Sequence, residues 1–537
     1  MHEQVEGRSP TERPTVRPLQ ESRTLGELLL RQALEQPHAT ALIFRERRTS
    51  YSDLNAYANQ VANGLLGLAV PAGTRVGYLG QNSDFYFNVL FGAAKAGVAL
   101  VPVNWRLAPP EIAAILANAD AALLFVGRGF GDVAAALSLP RDCHYISVDG
   151  ASDHWPDFAT WRDAQSTAEP MAPLNAEATV VQMYTSGTTG LPKGVELTNR
   201  SLIAVLRAAE EGGFGALGRD DVALMCMPAF HIAGTNVGLI GFGQGASVVI
   251  VEEYNPAVVA DLIPQHRVTF ILLVPAAILL LVQHPKTATA DFSSVRILAY
   301  GASPIAETLV EEARAAFANA GLWHLYGLAE ASGGGTISPP SAHDPGLGKL
   351  RSCGKPYPGF ELRIVDPLGE DVPTGEVGEI VLRSPTLMKG YWNNPEETRA
   401  ALTGDGWLRT GDAAYMDADG FIYVHDRIKD MIITGGENVF PAEVENALFS
   451  HPGVADVAVI GVPDPRWGES VKAFVVRRSG LEVTADAIIA HARERIAGFK
   501  VPKSVEFVEV LPRNAAGKLL RRTLRAPYWE GHHRLVG

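Results

Sequence analysis

The part of the chain best equipped for chemistry is Met183-Tyr184-Thr185-Ser186-Gly187-Thr188-Thr189-Gly190-Leu191-Pro192-Lys193-Gly194. Four hydroxyl side chains and three glycines fall within the ten residues from Thr185 to Gly194. Small donors, accessible backbone N–H groups and a terminal lysine suit a polyphosphate, whose oxygens accept many hydrogen bonds. The string is not a Walker A loop, because Pro192 precedes Lys193 and Gly194 follows it. The same composition also describes a flexible linker. The β-rich run Thr179–Gln182 before it, and a helix predicted to begin at Thr198 or Asn199 after it, favour phosphate binding.

Further strings carry charged groups toward the C-terminus. They are Trp323-His324-Leu325-Tyr326-Gly327-Leu328-Ala329-Glu330, Gly406-Trp407-Leu408-Arg409-Thr410-Gly411-Asp412, Asp426-Arg427-Ile428-Lys429-Asp430 with Gly435-Gly436-Glu437-Asn438, and Pro512-Arg513-Asn514-Ala515-Ala516-Gly517-Lys518. Taken alone, each has a plainer reading. Glu330 reads as a solvated or capping carboxylate, Asp412 as a turn residue, and Lys429 as a linker lysine. Lys518 reads as a surface lysine beside Arg521, Arg522 and Arg525.

The elements that must position these groups alternate strands with helices. Ordered structure is expected from Thr24, an N-cap with Glu27 completing a capping box. Arg75–Leu79, Ala99–Val103, Ala121–Val126, Ser247–Val251 and Val295–Ala299 read as buried strands, and Phe85–Ala96 as a helix. Phe270–Val282 is interrupted by Pro275 and reads as a buried strand leading into a buried helix. It is too short for the ~18–20 residues of a membrane span. Between about 350 and 425, short strands such as Glu361–Val365 and Val377–Arg383 alternate with turn signals, as in an antiparallel subdomain. Beyond Lys429, strands near 454–460 and 471–477 and helices over 441–449 and Thr484–Ala497 suggest a small α+β unit. The predicted class is α/β: a large N-terminal domain of parallel sheets with helices plus a β subdomain, and a small mobile C-terminal α+β domain. The expected division is a flexible tail 1–24, a body 25–426, a hinge 427–430 and a lid 431–537.

Length and charge fit this picture. A chain of 537 residues needs several units. Its net charge of −13 argues against a protein that coats nucleic acid. The basic run from Lys500 to Arg534 is a local exception suited to phosphates or simply to solvent. Cys143, Cys226 and Cys353 form neither a metal spacing nor a disulfide framework, as in a reducing compartment. Residues 1–24 lack the apolar core of a secretory signal. The expected location is cytoplasmic.

In their order and spacing the strings resemble the adenylate-forming, or AMP-binding, enzymes: acyl-CoA synthetases, firefly-type luciferases and the adenylation domains of peptide synthetases. The resemblance runs from about residue 25 to 525. It implies attack of a carboxylate on the α-phosphate of ATP, release of pyrophosphate, and displacement of AMP by a thiol, usually that of CoA. Bringing an anion onto a triphosphate makes catalysis a matter of charge neutralisation and alignment.

By that resemblance, Thr185, Ser186, Gly187, Thr188, Thr189 and Lys193 would hold the β- and γ-phosphates, and Glu330, with Thr185, would bind Mg²⁺. Asp412, with Arg427, would hold the ribose. Gly301-Ala302-Ser303, Tyr326 and Gly327 would line the adenine site, although Gly-Ala-Ser also suits a tight turn. Lys518 would bridge the carboxylate and the α-phosphate; opposite charges 4 Å apart are worth about 4 kcal/mol at an effective dielectric near 20. Lys429 would be the hinge about which the small domain turns, bringing Gly435, Gly436 and Glu437 to CoA. One position departs from the family, which usually has Thr before the glutamate where this chain has Ala329.

The resemblance implies an ATP-dependent acyl-CoA ligase of fatty-acid and lipid metabolism, similar to bacterial fatty-acid–CoA ligases. A medium- or long-chain fatty acid is the first choice of substrate, and an aryl or other bulky hydrophobic acid the second. By the resemblance Pro228–Gly234 would lie beside the acyl pocket, with His231 and Gly327 as pocket residues, although a histidine among apolar residues also reads as a packed core residue; no acid stands there to pair an ammonium group before Glu252. Gly241, Gly243 and Gly333–Gly335 make either a roomy pocket or turns. A carrier-protein acceptor, a luciferase-type oxygenase and a non-catalytic nucleotide binder are the competing classes. The implied partners are the acid, ATP and CoA, with no nucleic acid and no transmembrane segment; peripheral membrane contact and a homodimer are left open.

Overall fold

Apolar runs bounded by turn residues become strands, and their order brings the motif strings to one place. The computed structural model describes residues 18–139, 143–171, 175–185, 192–303, 305–427, 430–513 and 519–530, with the backbone alone at Asp426 and Arg427. A seven-stranded sheet runs in the order Gly390–Tyr391, Lys193–Thr198, Thr179–Thr185, Ala99–Val103, Arg75–Leu79, Ala121–Val126, His144–Ser147. Its last five strands are mutually parallel, as expected for buried Val/Leu-rich runs joined by helices. The first three are joined antiparallel. The strand Lys193–Thr198 differs from the expected direct passage from loop to helix. Val195 and Leu197 are fully buried on its inner face, so the Ser/Thr/Gly string connects a β-hairpin.

A nine-stranded sheet carries the second half of the body, with a parallel centre that includes Phe270–Leu273, Ile297–Gly301 and Gly321–Gly327. Both its edges are antiparallel. Pro275 ends the strand Phe270–Leu273 and starts the helix Pro275–Val282. A four-stranded antiparallel sheet follows, ending in Leu408–Met416 and Ile422–Arg427. The next strand, Ile432–Thr434, belongs to a separate sheet with Val454–Asp464 and Gly468–Arg477, which packs its own core around Val444, Leu448, Val459 and Ile488.

Three local expectations change. Residues 18–24 of the expected tail are packed: Pro18–Glu21 forms a helical turn, and Leu19 is buried where Gly243 leaves room for it. Arg207 secures this turn by donating to the carbonyls of Gln20 and Ser22 at 2.9 and 2.8 Å. Thr24 Oγ1 accepts from the Glu27 amide at 3.1 Å, but the Glu27 carboxylate accepts from Arg23 N rather than completing the box at Thr24. The helix expected over Thr484–Ala497 spans Ala485–Arg493, since the exposed Glu494-Arg495 pair offers no apolar face to extend it. Among the described residues no helix is long and apolar enough to cross a membrane.

Candidate active site

Thr185 and Lys193 are the last paired residues of the hairpin Thr179–Thr185/Lys193–Thr198, so the string emerges from a fixed base. Ser186, Gly187, Thr188 and Thr189 lie outside the described residues, as do Lys429 and Lys518. Lys193 Nζ contacts Glu397 Oε2 at 2.6 Å and stands 5.2 Å from the centroid of the Tyr391 ring. Tyr391 Oη donates to Glu330 Oε1 at 2.9 Å. Glu330 sits on the single turn Ala329–Ala331 after the strand Gly321–Gly327, and its carbonyl accepts from Met388 N at 2.8 Å. The lysine and glutamate, 137 positions apart in sequence, thus meet through one tyrosine.

A second pair assembles on the four-stranded sheet. Tyr326 Oη donates to Asp412 Oδ2 at 2.7 Å, and Asp412 is buried. Arg427 lies directly across from Asp412 in register on the neighbouring strand. Gly301 and Gly327 end adjoining tracts of the large sheet where nothing bulkier fits. A Cβ at Gly301 would fall 1.9 Å from the Leu325 carbonyl oxygen, and one at Gly327 would fall 2.2 Å from that of Gly333. Ala302 follows in the left-handed region at φ 67°, a strained setting for a residue with a Cβ.

These backbones open onto a cavity of about 450 Å³ lined by Thr185, Gly301, Ala302, Gly327, Ala329 and His231 among others. Ser303 and Tyr326 do not line it; Tyr326 turns its hydroxyl to Asp412 instead. The apolar wall comes from Leu206 and Ala209 on the helix Asn199–Gly212, Ile240 on the helix Ile232–Gln244, and Phe214, Met227 and Leu272. Gly241 and Gly243 are not lining residues: Gly241 packs on Val248 and Gly243 under Leu19, so they serve helix packing rather than a roomy pocket. His231 stands at the N-terminus of the helix Ile232–Gln244, its ring 4.7 Å from that of Phe230. Burial, with a smaller push from Arg106, lowers its pKa to about 4, so the imidazole is neutral at pH 7.

Gly435 and Gly436 form the turn between Ile432–Thr434 and Glu437–Val439, with φ of 61° and 88°, and Glu437 is exposed. They belong to the C-terminal sheet, as does Arg513's partner Asp456. Arg513 itself lines the cavity. Sequence reading passed over Tyr391 and Glu397, and quoted Arg513 in the Pro512–Lys518 string without placing it at the cavity. Two adjacent aromatics in Gly390-Tyr391-Trp392-Asn393-Asn394-Pro395, a turn-rich stretch with no apolar period, were the signal for the first. Among the described residues no group of three His, Cys, Asp or Glu side chains forms a metal cage.

Residues 29–392 match the family model described as AMP-binding enzyme, and residues 443–518 match that of the AMP-binding enzyme C-terminal domain. The chain is 38% identical over 507 residues to a fatty acid–[acyl-carrier-protein] ligase of Streptomyces coeruleorubidus, covering 94% of this chain and 96% of that one. It is 39% identical over 510 residues to a feruloyl-CoA synthase of an Amycolatopsis species, covering 93% and 98%. The structure of an anthranilate CoA ligase in complex with anthranoyl-AMP superimposes with a TM-score of 0.87 at 31% identity, covering 95% of this chain and 98% of that one. The expected fold class and family are both met, and the chain belongs to the adenylate-forming AMP-binding enzymes as an AMP-forming acid–CoA ligase.

Proposed function

We propose that the protein activates a hydrophobic carboxylic acid, a medium- or long-chain fatty acid first, and transfers it to CoA. The observation that carries this is the separation of polarity at the site. The cavity wall is apolar along Leu206, Ala209, Phe214, Ile240 and Leu272, whereas Lys193, Glu330 and Asp412 stand outside that wall. An acyl chain in the cavity would leave its carboxylate facing the charged side.

In the first step a carboxylate oxygen attacks the α-phosphorus, and the bond to pyrophosphate breaks. Lys193 exchanges Glu397 for phosphate oxygens, together with Thr185, Ser186, Gly187, Thr188 and Thr189. Lys518 neutralises the charge between carboxylate and α-phosphate. Asp412 and Arg427 orient the ribose, while Gly301, Ala302, Ser303, Tyr326 and Gly327 border the adenine. In the second step the CoA sulfur attacks the acyl carbon and the bond to AMP breaks, with Lys429 as the hinge and Gly435, Gly436 and Glu437 on the incoming face.

Mg²⁺ fits this donor set. One carboxylate, Glu330, oriented by Tyr391, and the hydroxyl of Thr185 are hard oxygen ligands, and Mg²⁺ commonly takes one or two protein oxygens with phosphates and water. When bound it would neutralise phosphate charge. Three unpaired cysteines and the use of ATP and CoA support a cytoplasmic location.

An aryl acid is the second reading, favoured by the rings of Phe214, Phe230, Tyr300 and Tyr357 in the lining. The test is AMP release across a panel of saturated and aryl acids, with and without CoA. Release that needs CoA and peaks with medium or long saturated chains is expected. Release that ignores CoA but needs an acyl-carrier protein overturns the acceptor, and a peak at aryl acids overturns the substrate.

A further inference from the structure

Arg75 opens a central strand of the seven-stranded sheet, and its side chain is only 6% exposed. A guanidinium this deep pays heavily in lost hydration unless every donor is used. Here Nη2 contacts Glu196 Oε1 at 2.7 Å, Nε donates to Gln182 Oε1 at 2.8 Å, and Nη1 donates to the Gly73 carbonyl at 2.6 Å. The guanidinium carbon lies 3.3 Å from the Trp392 ring centroid, a stacked contact. Thr179 Oγ1 adds a second donor to Glu196 Oε1 at 2.9 Å.

The partners stand on three different segments that meet at the candidate phosphate site. Gln182 is on the strand entering the Ser/Thr/Gly string, and Glu196 is opposite it on the strand leaving. Trp392 is on the segment that adds Gly390 and Tyr391 to the outer edge of that strand, and its amide donates to the Gly194 carbonyl at 2.7 Å. Gln182 Nε2 passes the network to Tyr184 Oη at 3.0 Å, next to Thr185, and Tyr184 in turn donates to Asn118 at 2.6 Å. Trp392 Nε1 donates to the carbonyl of the same Asn118 at 3.0 Å. One rigid, planar cation therefore ties together both ends of the string and the segment whose tyrosine holds Glu330 and faces Lys193.

We propose that Arg75 is a positioning residue for the triphosphate. It is buried beneath the hairpin and acts through Glu196, Gln182 and Trp392 to set the distance between the string and the Tyr391 segment. Lysine cannot replace it, because an ammonium is a point charge without the fork that meets Glu196 and Gln182 together or the plane that stacks on Trp392. This inference rests on the ATP-dependent reading above, and that reading is checked first by acid-dependent AMP release in the unaltered enzyme.

The test compares the unaltered enzyme with the double variant R75M/E196M, which removes both buried charges, and with Arg75→Lys and Trp392→Leu. Each is measured for the KM of ATP, the KM of the acid, thioester formation from supplied acyl-adenylate, and thermal midpoint. Misplacement of a binding group by a fraction of an ångström makes an increase of about tenfold in the KM of ATP the expected result for the double variant. The KM of the acid and thioester formation from supplied adenylate are expected to stay within about twofold. If the double variant does not fold, Arg75→Lys and Trp392→Leu decide by the same split. An ATP KM within twofold of the unaltered enzyme in a folded variant overturns the proposal, as does a fall in both half-reactions together.

Discussion

The Tyr391 hydroxyl donates to Glu330 Oε1 across 2.9 Å while its ring stands 5.2 Å from Lys193 Nζ. The two charged groups proposed to meet ATP and its cation are therefore held relative to each other by a residue with no charge of its own.

Tyr391→Phe keeps the ring near Lys193 and removes the hydrogen bond to Glu330. Hydrogen bonds to charged groups are worth about 1.5–3 kcal/mol, so kcat/KM for ATP is expected to fall at least about tenfold, with a larger deficit at low Mg²⁺. Rates of AMP release over a grid of ATP and Mg²⁺ concentrations check this. A variant with unchanged Mg²⁺ dependence contradicts it.

Asp412→Asn keeps an oxygen that can accept from Tyr326 Oη, so the local fold should persist, but it removes the charge. If Asp412 binds the ribose hydroxyls, kcat/KM for ATP drops by about ten- to a hundredfold, again from the loss of a charged acceptor. The KM of the acid should remain unchanged. Equal losses for both substrates would assign Asp412 to structure alone.

The apolar wall makes a prediction about length. Ala209 is buried, lies on the helix Asn199–Gly212 and lines the cavity. Ala209→Leu fills part of a tightly packed wall, and the longest saturated acid turned over should shorten by roughly two to four carbons. A panel of acids differing by one methylene reads the shift. Unaltered chain-length preference would place the acyl chain elsewhere.

Buried histidines make stability depend on pH. His231, His324 and His425 are each pushed down to about 4, below the ordinary 6.5, with burial the largest cause in every case. The unfolded chain binds protons as pH falls through about 6.5, whereas the folded chain resists until about 4. Stability is thus fully present above about 6.5 and declines between 6.5 and 4. The Nε2 atom of His231 is buried without a hydrogen-bond partner, so His231→Gln sacrifices no such bond. That variant should show a shallower decline in thermal midpoint from pH 7 to pH 5. A decline as steep as that of the unaltered protein would contradict the assignment.

Elements were legible wherever local signals agreed with tertiary demand. Ala99–Val103 and Pro441–Phe449 fall where apolar runs and an N-terminal proline put them. The strand Lys193–Thr198 was obscured because buried Glu196 interrupts its apolar pattern, and its charged partner, Arg75, lies 121 positions away. The site divides in the same way. Glu330, Asp412 and Lys193 carry recognisable flanking strings, whereas Tyr391 and Glu397 act through contacts made only after distant segments pair. Gly241 and Gly243 show the converse, since a glycine in sequence does not reveal whether a ligand or a neighbouring side chain fills the space.

Acid-dependent exchange of labelled pyrophosphate into ATP, measured without CoA, addresses the adenylation chemistry alone. The expected result is exchange that appears with medium- and long-chain acids, is abolished by omitting the acid, and falls at least about a hundredfold in Lys518→Ala while thioester formation from supplied acyl-adenylate survives. Absence of acid-dependent exchange across the whole panel, or an equal loss of both half-reactions in Lys518→Ala, would contradict it.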